Sequence, residues 1–232
     1  MEGVNVTKHP YLPRDLKLPH YKPNINSLGH ILGVFFGFVA VLQVVLWIIT
    51  RGKSIGVRVK ICWFVTSGLI HLILEGYYSL YNSTLAGEDT YLAQMWKEYG
   101  NGDSRYVHDD TCMVAMESIT AWVDGPLCLL TAASFYFPAM YGFRHVFQLA
   151  VSICQLYGDT LYFSTEWLEG FKHSEMWHPL HFWFYFFFLN IIWIIVPSIN
   201  ILDAARNLWR AQYKADDGLE VKSRKIVSKK RR

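Results

Sequence analysis

The chain has 232 residues, of which 52% are hydrophobic and 16% aromatic, while only 18% are charged. Soluble domains average about a quarter charged residues, so this balance argues against a soluble globular protein and for a membrane protein. The net charge of +3 sits largely in a terminal tail with no readout fold beside it, which argues against nucleic-acid binding.

Residues 1–27 are polar and rich in proline, with no apolar core of the kind a cleavable signal peptide needs. Five segments of about the twenty residues that cross a bilayer core then follow, near 28–50, 60–82, 112–136, 143–164 and 180–203. The expected fold is therefore all-α, a bundle of five transmembrane helices enclosing a ligand cavity. Residues 28–203 form the membrane domain and residues 204–232 a basic cytosolic tail, whose end from Lys222 to Arg232 is expected to be solvated and disordered.

The first segment repeats Gly29, Gly33 and Gly37 at every fourth residue. That spacing allows close helix approach, either inside the bundle, the reading favoured here, or at a homodimer seam. Asn5-Val6-Thr7 and Asn82-Ser83-Thr84 match the glycosylation sequon, a short pattern that often occurs by chance. Cys62, Cys112, Cys128 and Cys154 are scattered singly in apolar runs and read as small hydrophobes.

Loop charges set the orientation. The first loop, RGKSIGVRVK, is wholly basic, the third carries Arg144, and Lys222–Arg232 holds seven basic residues and no acid. Acids gather in the second and fourth loops. The positive-inside rule then places the first and third loops and the C-terminus in the cytosol, beside anionic membrane lipid. The ending Lys229-Lys230-Arg231-Arg232 resembles the dilysine retrieval signal of endoplasmic reticulum membrane proteins.

Ionisable groups at bilayer depth carry the functional signal. His71 and Glu75 interrupt the second segment, and Glu117 interrupts the third. Each is unfavourable there by roughly 3 kcal/mol on insertion scales, so a retained one points to function. Four residues apart on a helix, His71 and Glu75 share a face and supply matched donor and acceptor strength for general acid–base chemistry. Singly, the histidine reads as a helix–helix hydrogen bonder and the glutamate as a buried structural acid.

Thr120 and Asp124 are expected on the face of Glu117, Asn190 and Trp193 on one face of the fifth helix, and Gln155, Tyr157 and Asp159 on the fourth. Asp159 reads as facing water or a partner. No GxGxxG, Walker, HExxH or GxSxG motif occurs, so proton movement without a cofactor is the chemistry left with support. Ion transport has little support, because the polar groups cluster at one level.

At these residues the chain resembles the emopamil-binding-protein family of sterol Δ8–Δ7 isomerases, within the EXPERA group of five-helix proteins of the endoplasmic reticulum and nuclear envelope. The resemblance rests on HPYLPRDLKL, HLILEGYYSLY, LAQMWKEYGNGDSRY, MESITAW, QLAVSICQLYGDTLYFSTE and HPLHFWFYFFFLNIIWIIVPS, and its motif core covers about 57–203. It implies isomerisation of a membrane-dissolved Δ8-sterol from C8=C9 to C7=C8 through a carbocation at C8, with no cofactor and no metal. It also implies a site of His71, Glu75, Glu117, Thr120, Asn190 and Trp193. His71 and Glu75 would form the proton-transfer pair. Glu117 and the Trp193 face would stabilise the cation, and Thr120 and Asn190 would orient these groups. Hydrophobic cationic amines would bind as inhibitors, because an ammonium imitates the cation. Asp124 departs from the family pattern, and its place is expected at the cytosolic edge or as an added charge. The alternative is a non-catalytic sterol- or amine-binding protein of the same fold.

Overall fold

The structure is a computed structural model describing residues 8–230, and every regular element among these residues is helical. The Asn5 sequon lies outside the described residues.

Helix α1 spans Leu28–Ile49, α2 spans Ile55–Tyr81 and α4 spans Thr111–Tyr136, with the short helix α3, Tyr91–Tyr99, between the last two. Helix α5 runs over Arg144–Leu168. Helix α6 opens in π form at Pro179–Phe188 and continues as α-helix over Leu189–Lys230. The region expected to be a disordered tail is thus helical as far as it is described. Once α6 leaves the apolar stretch nothing in the sequence breaks it: after Pro197 the helix interior holds no proline, and Gly218 is tolerated.

By length and composition four helices can cross a membrane: α1, α2, α4 and the α6 region. The fifth expected segment is a helix too, but a less apolar one. It buries Gln148, Ser152, Gln155, Asp159 and Glu166, and these polar residues lower its hydropathy.

Between apolar surfaces in lipid, helix association rests on close packing and not on hydrophobic burial. Gly68 and Gly125 provide this between α2 and α4. A Cβ on Gly68 would lie 3.1 Å from the Gly125 carbonyl oxygen, and one on Gly125 would lie 2.8 Å from Leu72 Cγ. By contrast, nothing lies within 4 Å of a Cβ built on Gly29, Gly33 or Gly37. The expectation that this stripe packs inside the bundle is not met. Other residues of α1 make its contacts.

The polar start of the chain is part of the folded body. Tyr11, Leu18 and Tyr21 are buried, and Tyr11 donates to the Lys97 carbonyl at 3.0 Å. Gln94 Oε1 accepts from the Ile25 and Asn26 amides at 3.1 and 2.9 Å. Lys97 Nζ donates to the Lys22 and Glu88 carbonyls, and burial holds its ammonium below its usual value. Residues 8–27, α3 and the loop to Tyr106 thereby form a cap over one end of the bundle. Asn82 uses its amide on the Tyr78 and Ser79 carbonyls at the end of α2.

The cap meets α6 at Gly102, where a Cβ would lie 2.7 Å from Tyr185 Cβ and 2.9 Å from the His181 carbonyl oxygen. Backbone cannot retreat as a side chain can. Gly102→Ala is therefore expected to destabilise the protein by about 1–3 kcal/mol. Thermal unfolding in detergent reads this as a lowered midpoint, and an unchanged midpoint would show that the loop yields.

Candidate active site

Two of the π stretches build the site. Gly76 N–H donates to the His71 carbonyl, and Gly125 N–H to that of Thr120, each five residues back. The wider turn re-aims side chains, a device common at functional sites. The first stretch, Ile70–Glu75, and the second, Thr120–Asp124, pack against each other where the glycines bring α2 and α4 together.

His71 and Glu75 are both buried, and His71 Nδ1 lies 2.6 and 2.7 Å from the two Glu75 oxygens. The Gln155 amide approaches His71 Nε2 at 3.2 Å. With that nitrogen accepting, Nδ1 carries the proton shared with Glu75. The Thr120 hydroxyl donates to Glu75 Oε2. The buried Glu117 accepts from the Tyr106 hydroxyl at 2.6 Å. Burial, and next the Glu117 carboxylate, push the Tyr106 phenol well above its usual value, so it serves as a fixed donor. Trp193 lies with its ring centroid 5.0 Å from that of His71 and 5.1 Å from that of Trp63.

A cavity of about 330 Å³ opens beside these groups, within the range of roughly 300–1,000 Å³ usual for small-molecule sites. Its walls are mainly apolar and aromatic, with Phe35, Trp63, Leu74 and Trp96 among them. A second cavity of about 70 Å³ adjoins it, and all six expected site residues line this one: His71, Glu75, Glu117, Thr120, Asn190 and Trp193. Glu75, Tyr106, Glu117, Asn190 and Trp193 line both.

Some placements differ from expectation. Asn190 donates to the Tyr99 hydroxyl at 2.8 Å and to the Phe186 carbonyl at 2.7 Å, so it holds the cap to α6 and leaves the carboxylates alone. Asp124 is buried at 1% exposure and lines neither cavity, because the π turn separates it from the face of Glu117 and Thr120. Asp159 is buried and lines the smaller cavity, where it was expected to face water or a partner. Tyr157 points outward. Tyr99 and Tyr106, both from the cap, complete the site, and their only mark in the sequence is their place in the WKEYGNGDSRY loop.

Two other clusters bring possible metal ligands within 4.8 Å of one another. In the first, Asp103, Glu166 and His173 surround Arg105, whose guanidinium supplies the cation. In the second, His181 Nδ1 bonds Glu175 at 2.9 Å and the His181 amide donates to His178 Nδ1, so mutual hydrogen bonds already use these groups.

Comparison with known proteins places this architecture. The chain is 44% identical, over 99% of its length and 99% of the relative's, to a Mus musculus protein named 3-beta-hydroxysteroid-Delta(8),Delta(7)-isomerase. Residues 91–204 match the family described as EXPERA (EXPanded EBP superfamily). The chain belongs to the EXPERA family. A Cavia porcellus protein of the same name is 40% identical over 90% of this chain and 92% of its own. An Arabidopsis thaliana protein named as a probable isomerase of this kind is 35% identical over 94% and 96%. The EXPERA match covers Glu117, Thr120, Asn190 and Trp193. His71 and Glu75 precede it, within the stretch that the full-length relatives span.

Proposed function

We propose that this EXPERA protein is a sterol Δ8–Δ7 isomerase that moves a ring double bond from C8=C9 to C7=C8 in sterol biosynthesis. The bonded His71–Glu75 pair, set beside Glu117 at the edge of an apolar chamber, is the observation that carries this reading. The name shared by the full-length relatives supports it. The reaction adds a proton at C9, places positive charge at C8 and removes a proton from C7. Proton and electron counts are unchanged, which suits a site of acids, an imidazole and an indole.

In this reading the 330 Å³ cavity receives the sterol, and α5 is the fifth membrane helix, its polar face turned inward. His71 and Glu75 transfer the protons as a pair: Glu75 borders the sterol cavity, and His71, which lines only the smaller one, acts through Glu75. Thr120 orients Glu75 through its hydroxyl, and Tyr106 orients Glu117. The Glu117 carboxylate and the Trp193 face, which also border the mainly apolar larger cavity, stabilise the cation there. The membrane domain is 28–203, and the basic C-terminal region faces the cytosol from the endoplasmic reticulum.

Expression in a yeast strain lacking its own Δ8–Δ7 isomerase is expected to convert accumulated Δ8-sterols to Δ7-sterols. Persistent Δ8-sterols beside a folded protein would overturn the proposal and favour a binding role. A hydrophobic tertiary amine such as N,N-dimethyldodecylamine is expected to bind as a mimic of the cation. Glu117→Gln removes one charge-assisted partner and is expected to weaken that binding about tenfold or more. Equal affinity in a binding titration would take Glu117 out of the cation-stabilising role.

A further inference from the structure

Ser152, Gln155 and Asp159 follow one another at spacings of three and four on one face of α5. They are buried to 0%, 3% and 9% exposure, and each holds a polar atom with no hydrogen-bond partner: Ser152 Oγ, Gln155 Oε1 and Asp159 Oδ2. Folded proteins leave few buried polar atoms unpaired, and a run of three on one helix face points to water as their partner. Two of the three, on Gln155 and Asp159, belong to residues that line the 70 Å³ cavity together with His71, Glu75, Glu117 and Thr120. A water needs roughly 10–15 Å³ of such space and two to four polar partners, so this chamber has room for several and the groups to hold them. The larger cavity beside it is mainly apolar. The site is thus divided into a mainly apolar compartment and a smaller polar one, with Glu75 and Glu117 bordering both.

We infer that the smaller cavity is a water-filled proton-exchange chamber and that Asp159 is its relay group. This rests on the isomerase reading and deepens it. One turnover passes a proton from the acid to C9, the C8=C9 π bond supplying the electron pair. A second proton then leaves C7, and its C–H electrons form the C7=C8 bond. The acid is left without its proton, and the base holds one in excess. The chamber water takes that excess proton, and Asp159 gives one through the same water to the acid and is reprotonated in turn. The count is restored with one proton in and one out. Asp159 suits this task because no cation or hydrogen-bond donor fixes its free oxygen, and its position on the wet side keeps it from the sterol.

The test uses the full-length protein in detergent, in ordinary water, with a Δ8-sterol deuterated at both C7 positions. The wild-type product is expected to carry protium at C9, because each abstracted deuteron is lost to the chamber and the solvent. In Asp159→Asn the chamber water is left to pass the abstracted deuteron back to the acid, so C9 of the next substrate molecule is expected to carry deuterium. This variant is also expected to turn over about tenfold or more slowly and to bind N,N-dimethyldodecylamine as wild type does. Asp159→Glu, which keeps the carboxyl, is expected to restore protium at C9. Protium at C9 in Asp159→Asn would overturn the relay, whatever its rate. If Asp159→Asn has lost amine binding and with it the fold, Asp159→Ser is decided by the same isotope outcome. A wild-type protein that does not isomerise would overturn the isomerase reading itself, and the relay with it.

Discussion

Glu75→Gln is expected to reduce turnover by a factor of about 10²–10⁴, the contribution typical of a positioned acid–base group. The amide has the volume of the carboxyl and can still accept from Thr120 and from His71 Nδ1, so the bundle should remain folded and the sterol should still bind. What is lost is the capacity to hold and release a proton beside the ring. His71→Ala is expected to cause a loss of similar size, because it leaves Glu75 buried without the imidazole that shares its proton. The two act as a unit, so the double variant should fall little further than either single one. Steady-state kinetics on purified protein, with amine binding as the control for folding, checks both. Wild-type kcat in either single variant would remove that residue from proton transfer.

Arg105→Ala is expected to lower stability by about 3–5 kcal/mol, the usual effect of removing one partner from a buried ion pair. Arg105 and Asp103 are each 1% exposed, and Arg105 Nε lies 3.0 Å from both Asp103 oxygens. Its guanidinium also donates to Thr165 Oγ1 at 2.6 Å and to the Tyr162 carbonyl at 3.2 Å, and it lies 3.5 Å from Glu166. Glu166 in turn accepts from the His173 amide at 2.8 Å. Without Arg105, two buried carboxylates would face each other with no permanent cation between them, and the cap would lose its clamp on α5. Tyr106, next in sequence, would lose its alignment on Glu117, so activity should fall with stability. Arg105→Lys keeps the charge but not the planar fork, and is expected to recover only part of the loss. A thermal-unfolding midpoint equal to wild type in Arg105→Ala would show that the cluster contributes nothing to holding the cap.

The apolar runs that became α1, α2, α4 and α6 were legible because bilayer-length segments must satisfy their backbone internally and face lipid with apolar side chains. His71, Glu75 and Glu117 were legible for the same reason in reverse, since a titratable group in such a run is conspicuous. The i,i+4 spacing of His71 and Glu75 announced their contact, and a local hydrogen bond fulfils it. Asp159 was visible as a residue, but its surroundings were not.

The cap had to be seen in three dimensions. Tyr11 and Tyr106 stand in polar stretches with no periodicity and Tyr99 ends the short helix α3, and contacts such as those of Lys97 with Lys22 and of Tyr106 with Glu117 hold this region in place. The π stretches were equally hidden, because one extra residue in a turn leaves no compositional mark, yet it separates Asp124 from the face of Glu117. The glycine stripe of α1 carried a packing motif whose partner only the bundle could supply or deny. Local chemistry and periodicity therefore determined which residues would be candidates for function and which segments would be helices. Which side chains share a chamber, and which chamber is lined by polar groups, followed from helix approach and from contacts between residues far apart in the chain.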